Sequence, residues 1–263
     1  MNSAGKRRFA TAVAAAALAG LAGGATAQQC SVTSGPQRAA LVELYTSEGC
    51  SSCPPADKQL SLIGAPSNAN VVALALHVNF WDYIGWKDPF ARAEFTERQR
   101  FLIGANGGRT LYTPHFFING QEVQDRSRVA GVIRSQSSKP AAADIRVQAL
   151  VQAPGALQIK VDASGAHGDK PEAALALYAA VTESALVTQV KAGENSGSTL
   201  PHDHVVRHWV GPVALKGGAA NLTRAIDLTP EQVRKGVNIA AFVQNTRTGE
   251  VLQAATTGVC KGA

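Results

Sequence analysis

The sequence predicts two structural classes in succession: an α/β domain, with a mixed sheet and flanking helices, over residues 28–139, and an all-β sandwich-like domain over residues 140–263. Two observations predict this division. Between residues 39 and 78 an apolar run, a helical pattern and a second apolar run follow one another, which is typical of a parallel β-α-β unit. From Ile145 onward, apolar residues recur at every second position between closely spaced turns, as in β sandwiches. Residues 136–143 form the predicted linker.

The first 27 residues have the features of a secretory signal peptide. The basic cluster Lys6-Arg7-Arg8 precedes an apolar, Ala-rich run, and Ala25-Thr26-Ala27 places small residues where a signal peptidase reads them. The apolar run is shorter than the roughly 20 residues that span a bilayer. We therefore expect cleavage near Gln28 and a periplasmic or secreted mature protein.

Composition and charge exclude several classes of function. The 263 residues carry 25 Lys and Arg against 19 Asp and Glu, a formal net charge of +6. Removal of residues 1–27 takes away three basic residues and no acidic residue, so the mature chain keeps about +3 (6 − 3). A surplus this small and dispersed does not favour binding to nucleic acid or to a membrane surface. We expect neither a nucleic-acid partner nor an integral membrane span.

The first half of the chain alternates strands and helices. Residues 39–45 predict a buried strand, a helical pattern follows, and residues 71–78 predict a second strand parallel to the first. After the aromatic-rich connection 79–87, Asp88-Pro89 has the form of a helix start, a cap followed by proline, and the Gly-rich segment 104–108 ends that helix.

A hairpin and a last helix close this half. Residues 116–118 are apolar and precede Asn119-Gly120, the strongest two-residue hairpin signal, and Asp125 can cap the helix that follows. Strands of the second half are predicted at residues 145–151, 157–161, 173–183, 204–210, 221–228 and 236–255, the last broken by a turn.

Four cysteines are present, and the expected export indicates that they form disulfides. Outside the cytoplasm, thiols tend to form disulfides. Cys50 and Cys53 are three residues apart, whereas Cys30 and Cys260 lie near the two ends of the mature chain. The simplest of the three possible pairings is Cys50–Cys53 with Cys30–Cys260.

The Cys-Ser-Ser-Cys motif lies between a predicted strand and a predicted helix, and Thr113-Pro114 precedes a later strand; this arrangement resembles the thioredoxin fold. Three longer segments carry a closer resemblance: V-E-L-Y-T-S-E-G-C-S-S-C-P-P-A-D (42–57), H-V-N-F-W-D-Y-I-G-W-K-D-P-F (77–90) and Y-T-P-H-F-F-I-N-G (112–120). They resemble the secreted bacterial proteins called domain of unknown function family twelve twenty-three, which is classed as thioredoxin-like. The resemblance implies a thioredoxin-like α/β domain with a dithiol beside a cis-proline.

The chemistry that suits this motif is thiol–disulfide exchange, in which one thiolate attacks a disulfide and a second thiol resolves the mixed disulfide. Cys50 is the expected attacking residue and Cys53 the resolving residue, on a protein or small-thiol disulfide substrate and without a cofactor. A helix N-terminus stabilises a thiolate, although Pro54-Pro55 each remove a backbone donor. The resemblance implies that a cis Pro114 turns the backbone of Thr113 toward an extended substrate chain.

Two polar residues in predicted strands are candidate supporting groups. Glu43 lies in an apolar strand seven residues before Cys50, where it either passes a proton to Cys53 or makes an ordinary hydrogen bond at an edge. His77 ends the second parallel strand, on the side where α/β sheets bind ligands, so it either tunes a thiolate, ligates a metal or serves as a structural histidine. The aromatic residues Trp81, Tyr83 and Trp86 either line a peptide groove or pack the connection onto the domain.

Two alternative functions remain open. Cys50, Cys53 and His77 together suit a soft metal such as Cu(I). A non-catalytic binding module with a permanent Cys50–Cys53 disulfide is the other alternative, and a fully buried Cys50 would favour it. His202 and His204, expected on one face of a strand, are either metal ligands or polar surface.

Overall fold

The computed structural model describes Met1 and residues 28–68, 70–152, 154–165 and 174–261. The predicted signal segment therefore lies outside the described residues, apart from Met1. The strands are β1 (Gln28–Thr33), β2 (Ala40–Thr46), β3 (Val71–His77), β4 (His115–Ile118), β5 (Gln121–Val123), β6 (Asp144–Gln152), β7 (Ala156–Ser164), β8 (Leu175–Glu183), β9 (Leu186–Gln189), β10 (Thr199–His202), β11 (Val205–Ala214), β12 (Ala219–Asp227), β13 (Val237–Asn245) and β14 (Val251–Cys260). The helices are α1 (Pro54–Ile63), α2 (Ala93–Ala105), α3 (Val129–Ser137) and α4 (Pro230–Lys235).

The strands form three sheets. The largest has eight strands in the order β14-β13-β8-β11-β3-β2-β4-β5, and a second has four in the order β1-β6-β7-β12. The hairpin β9–β10 forms a two-stranded sheet of its own. Within the large sheet, β3 runs parallel to both β2 and β11, and the other neighbours are antiparallel.

The predicted fold class, a helix-flanked thioredoxin-like α/β domain followed by an all-β sandwich-like domain, is wrong. The described part of the chain is mostly β, with 46% of its residues in strands against 20% in helices. The largest sheet contains strands of both halves, because β11 pairs with β3 through Val205 and Ala75. Periodicity identified most of these strands, but it carries no information about which distant strand each one joins.

Local sequence signals predicted the order of the strands and helices in the first half, although the predicted fold class was wrong. The order strand, helix, strand, helix, hairpin, helix over residues 40–137 is observed. The hairpin turn has positive φ at both central residues, 49° at Asn119 and 81° at Gly120. A Cβ on Gly120 would lie 1.8 Å from the carbonyl oxygen of Gly249, so only glycine fits there. The turn thereby packs directly against a turn of the second half.

The predicted helix at Asp88-Pro89 begins later, at Ala93. The Asp88 carboxylate accepts hydrogen bonds from the backbone N–H groups of Phe90 (2.9 Å) and Glu48 (2.8 Å) instead of capping α2. Asp88 therefore belongs to a buried polar cluster with His77 and Glu48.

Three apolar clusters form the core. The first lies between the four-stranded sheet and strands β8, β13 and β14, with Val147 and Ile239 among its buried residues. The second packs under α2 through Phe95 and Leu102, and the third packs under α1 and α3 around Leu60. These clusters fix the ends of β2 and β3 where the candidate site lies.

Candidate functional site around the Cys50–Cys53 disulfide

Both predicted disulfides are present. Cys30 and Cys260 join β1 to β14 with their Cα atoms 5.9 Å apart. Cys50 and Cys53 join the segment after β2 to the start of α1, with Cα atoms 5.4 Å apart. The first disulfide closes the chain over 230 residues, whereas the second closes a single turn.

The Cys50–Cys53 turn is built from backbone hydrogen bonds. Cys53 is the N-cap residue of α1, and its carbonyl oxygen accepts from the N–H groups of Ala56 (2.8 Å) and Asp57 (3.0 Å). Pro54 and Pro55 have no N–H to offer, as the sequence indicated. The first turn of α1 therefore directs its available donors to a carbonyl rather than to a cysteine sulfur.

Both cysteine side chains are buried, although the two serines between them are exposed. Cys50 is 1% and Cys53 0% accessible to solvent. The Cys50 Sγ lies 3.4 Å from the Ser52 hydroxyl. Because a thiolate must reach a disulfide sulfur directly, the conformation observed here does not admit an external thiol to either sulfur.

A hairpin from the second half of the chain contacts this turn. We call residues 186–202 the strap; it comprises β9, β10 and the segment that joins them. The Asn195 side-chain amide donates to the carbonyl oxygens of Glu48 (2.8 Å) and Cys50 (2.9 Å). The Ser51 N–H donates to the Glu194 carboxylate at 2.9 Å, and hydrogen bonding from Ser51 lowers the pKa of Glu194. The strap thus binds the backbone on both sides of Cys50.

The strap was not among the elements predicted from the sequence. Its turn does carry a local signal, since Gly193 and Gly197 flank a polar run between two short apolar stretches. That signal could have predicted a hairpin. Nothing near it in the sequence indicates that the hairpin lies on a cysteine turn about 145 residues earlier.

A buried ion pair lies beside the cysteine turn. The His77 Nδ1 is 2.7 Å from the Asp88 Oδ2, and the two side chains are 1% and 0% exposed. Burial alone would lower the pKa of His77, but the Asp88 charge and hydrogen bond outweigh burial and raise that pKa. Burial alone would raise the pKa of Asp88; His77 and two backbone N–H groups outweigh it and lower that pKa. His77 is therefore buried as part of a charged pair.

Asp57 is the acidic residue closest along α1 to the cysteines. It lies four residues after Cys53, so the two side chains share one side of the helix. Burial raises the pKa of Asp57, against the opposing effect of the His77 charge. Within the described part of the chain, neither Asp57 Oδ1 nor His77 Nε2 has a hydrogen-bond partner, although both atoms are buried. The arrangement supplies groups that can hold a proton next to Cys53.

Glu48 ties three elements to this cluster. Its Oε1 is 3.0 Å from the Nε2 of His202 at the base of the strap, and its Oε2 accepts from the Trp86 indole at 2.7 Å. The rings of His202 and His77 are 5.1 Å apart. The strap, the aromatic connection and the cysteine turn therefore share one buried carboxylate.

Thr113 and Pro114 are linked to the same region through Trp81. The Thr113–Pro114 peptide bond is cis. The Trp81 indole donates to the Thr113 hydroxyl at 2.7 Å, and Trp81 Cβ lies 3.0 Å from where a Cβ on Gly49 would stand. Trp81 thus packs between Thr113 and the cysteine turn, whereas Tyr83 is 82% exposed.

The Glu43 carboxylate forms its hydrogen bonds with Arg98 and Tyr45. It is fully buried in β2, and its carboxylate accepts from Arg98 Nε at 2.6 Å and Nη2 at 3.0 Å. The Tyr45 hydroxyl donates to the same carboxylate at 3.3 Å. None of the hydrogen bonds found for Glu43 in the described residues involves a cysteine, and its proton transfer to Cys53 stays a prediction.

His202 and His204 do not share a strand face. β10 ends at His202, and His204 follows it in a left-handed conformation with φ 58°. His202 is buried against Glu48, whereas His204 packs against Gly64, whose missing side chain makes room for the ring. Among the described residues, no group of three or more His, Cys, Asp or Glu side chains is arranged to hold a metal ion. The metal site of Cys50, Cys53 and His77 stays a prediction.

None of the helices in the described ranges has the length and apolar character needed to cross a bilayer.

No curated protein matches the sequence. Solved structures and one protein family are similar to it. The crystal structure of protein AGR_C_4864 from Agrobacterium tumefaciens is 25% identical, with a TM-score of 0.60 over 84% of this chain and 95% of that one. HBP35 of Porphyromonas gingivalis is 14% identical, with a TM-score of 0.63 over 86% of this chain and 76% of that one, which shows a similar fold alone. The family described as "Protein of unknown function (DUF1223)" matches residues 41–244, most of the chain, and this protein is therefore a member of the DUF1223 family.

Proposed function

We propose that this chain is an exported thiol–disulfide exchange protein in which Cys50 and Cys53 alternate between a disulfide and a dithiol. The observation that carries the proposal is the position of the disulfide, at the N-terminus of α1 and flanked by the buried Glu48 and the partly buried Asp57. A disulfide that only braces a turn needs no ionisable neighbours. Exchange needs groups that hold and release a proton, and perturbed ionisable residues cluster at functional sites.

The proposed reaction transfers two electrons between sulfur atoms. A substrate thiolate attacks Cys50 Sγ, the Cys50–Cys53 bond breaks, and its electron pair leaves on Cys53 Sγ, which takes a proton. A second substrate thiolate attacks the substrate sulfur of the mixed disulfide and releases Cys50 as a thiolate. The substrate leaves as a disulfide and the protein as a dithiol. The reverse sequence, which begins with Cys50 attacking, reduces a substrate disulfide.

Three residues have assigned supporting roles. Asp57 holds the proton that Cys53 takes, because its raised pKa keeps it protonated to higher pH than an ordinary aspartate. Thr113 and Pro114 position an extended substrate chain, in keeping with the link from Thr113 through Trp81 to the cysteine turn.

One observation favours a second candidate function. Cys50 is 1% exposed, as expected for a permanent disulfide in a non-catalytic binding module. In that case the His77–Asp88 pair and Glu48 only fix the ends of β2 and β3. The two candidates differ in whether the disulfide opens at potentials typical of exchange proteins.

The experiment is a redox titration of the chain from Gln28 onward in glutathione buffers, with thiols trapped by alkylation and each disulfide followed by mass spectrometry. Exchange predicts a midpoint for Cys50–Cys53 between about −120 and −270 mV. It also predicts that Cys53→Ser accumulates a mixed disulfide at Cys50, whereas Cys50→Ser abolishes exchange.

The Cys30→Ser/Cys260→Ser double variant is the matched control and should leave that midpoint unchanged. A midpoint below about −300 mV, with no mixed disulfide in Cys53→Ser, would establish the structural disulfide instead. For the proposed export, the measurement is the N-terminus of the protein recovered outside the cytoplasm, which should be near Gln28; recovery of intact Met1 in the cytoplasm would contradict it.

A further inference from the structure

The strap has the features of a segment that opens locally. β9 and β10 pair with each other and form no ladder with either of the other two sheets. Within residues 191–199, which are all described, Asn195 is the one buried residue. Segments with few buried apolar contacts and exposed backbone open at low free-energy cost, far below that of global unfolding.

A small set of contacts holds the strap over the cysteine turn. At its tip, Asn195 donates two hydrogen bonds and Glu194 accepts one. Gly193, with φ 75°, lies close enough to the aromatic connection that a Cβ there would be 3.3 Å from Ile84 and Trp86. At its base, the buried His202 is bound to Glu48. The base is thus firmly packed, and the tip is held by three hydrogen bonds to residues 48–51.

We propose that the strap is a cover that closes over the Cys50–Cys53 disulfide, and that thiols react with Cys50 from the conformation in which residues 191–198 are open. This inference rests on the proposed function only in the choice of reaction, because a cover over a buried disulfide also controls its attack by a simple reductant. Asn195 is the residue that holds the strap closed. Its amide binds the carbonyl groups of Glu48 and Cys50, and the open conformation breaks both bonds.

The cover has a consequence for the physiological partner. A small thiol reacts only during spontaneous opening. Its reaction rate is therefore the rate with an open strap multiplied by the fraction of time that the strap is open. A protein that binds residues 191–198 in their open conformation shifts that equilibrium toward the reactive state. The site therefore favours a protein redox partner that engages the strap over a free small thiol.

The test measures the rate at which excess dithiothreitol reduces each disulfide, with alkylation at timed intervals and mass spectrometry of the peptides. Asn195→Ala removes two hydrogen bonds that only the closed strap makes, and it should accelerate reduction of Cys50–Cys53 by about tenfold. Glu194→Ala removes one and should accelerate it by about threefold. Ser196→Ala is the matched control, because its hydroxyl bonds the carbonyl of Lys191 within the strap itself; its rate should equal that of the wild type.

Reduction of Cys30–Cys260 in the same samples is the internal reference. A selective increase at Cys50–Cys53 supports the cover. Equal rates in Asn195→Ala, Glu194→Ala and the wild type would overturn it, and so would a parallel increase at both disulfides, which would mean that global unfolding exposes them.

The equilibrium midpoint keeps this inference separate from the proposed function. If the midpoint lies below about −300 mV but Asn195→Ala still accelerates reduction, the cover stands and the exchange function fails. If the midpoint is that of an exchange protein and the rates do not change, the exchange function stands and the cover fails.

Discussion

Replacement of Arg98 by methionine tests whether the two halves of the chain unfold as one unit. Arg98 projects from α2 and is 7% exposed in its side chain. It binds Glu43 of β2, donates from Nη1 to the Gln244 side chain of β13 at 3.1 Å, and lies 4.6 Å from the ring centroid of Trp209 in β11. One side chain therefore connects strands from both halves.

The expected cost follows from burial. Glu43 is 0% exposed, and removal of its cationic partner leaves a buried carboxylate without a counter-charge. Such removals cost about 3–5 kcal/mol. For a chain of this size each kcal/mol lowers Tm by about 2–4 °C, so Arg98→Met should melt about 6–20 °C below the wild type. The assays are thermal and urea unfolding with both disulfides intact, each followed by fluorescence and by circular dichroism.

A second variant isolates the cause. Arg98→Met combined with Glu43→Gln removes the stranded charge, and it should be more stable than Arg98→Met alone. Both probes should report one transition. A single variant within about 1 kcal/mol of the wild type, or a double variant no better than the single, would refute the reasoning. Glu43→Gln in the double variant also tests the proton-transfer prediction, since a structural Glu43 leaves the pH profile of Cys50–Cys53 exchange unchanged.

Asp88→Asn should destabilise the fold by about 3–5 kcal/mol near pH 5.5 and by less near pH 9. The raised pKa of His77 gives stability that is present below its ordinary value of 6.5 and lost as pH rises through the raised value. The lowered pKa of Asp88 gives stability that is present above 3.8 and lost as pH falls through the lowered value. Urea unfolding at the two pH values checks this, and an equal loss at both would contradict it. Gly193→Ala, at φ 75°, should loosen the strap and accelerate dithiothreitol reduction of Cys50–Cys53 severalfold; an unchanged rate would show that the tip accommodates a side chain. Loss of the Cys30–Cys260 disulfide, which spans 230 residues, should cost about 5 kcal/mol in the chain-entropy model, as measured by urea unfolding, and a loss below about 1 kcal/mol would rule that model out here.

Short-range features of the site could be predicted from the sequence. Cys53 with Pro54 marks the start of α1, Asn119-Gly120 marks a hairpin, and both disulfides are the simplest pairing for cysteines of this spacing in a chain predicted to be exported. In each case the signal lies within a few residues, because backbone geometry and turn chemistry are local properties. His77 was also placed correctly at the end of a strand.

The long-range features could not be predicted, and they decide the fold class. The pairing of Val205 with Ala75 joins residues 130 positions apart (205 − 75), and strand periodicity is compatible with many such pairings. Asp88 illustrates the same limit. Its sequence context is that of a helix cap, but a partner from β3, His77, offers a buried hydrogen bond and takes the carboxylate. Tertiary contacts therefore override the local preference.

Long-range contacts also bring the strap of the second half against the cysteine turn of the first. The cysteine turn belongs to the first half, and Glu194 and Asn195, which form hydrogen bonds with it, belong to the second. The family match over residues 41–244 includes both parts. In the observed fold the eight-stranded sheet fixes β8, and the strap that follows β8 is thereby held against the end of β2. If the strap is the proposed cover, the second half has a specific role in the proposed chemistry, because opening of the strap then controls when Cys50 can react.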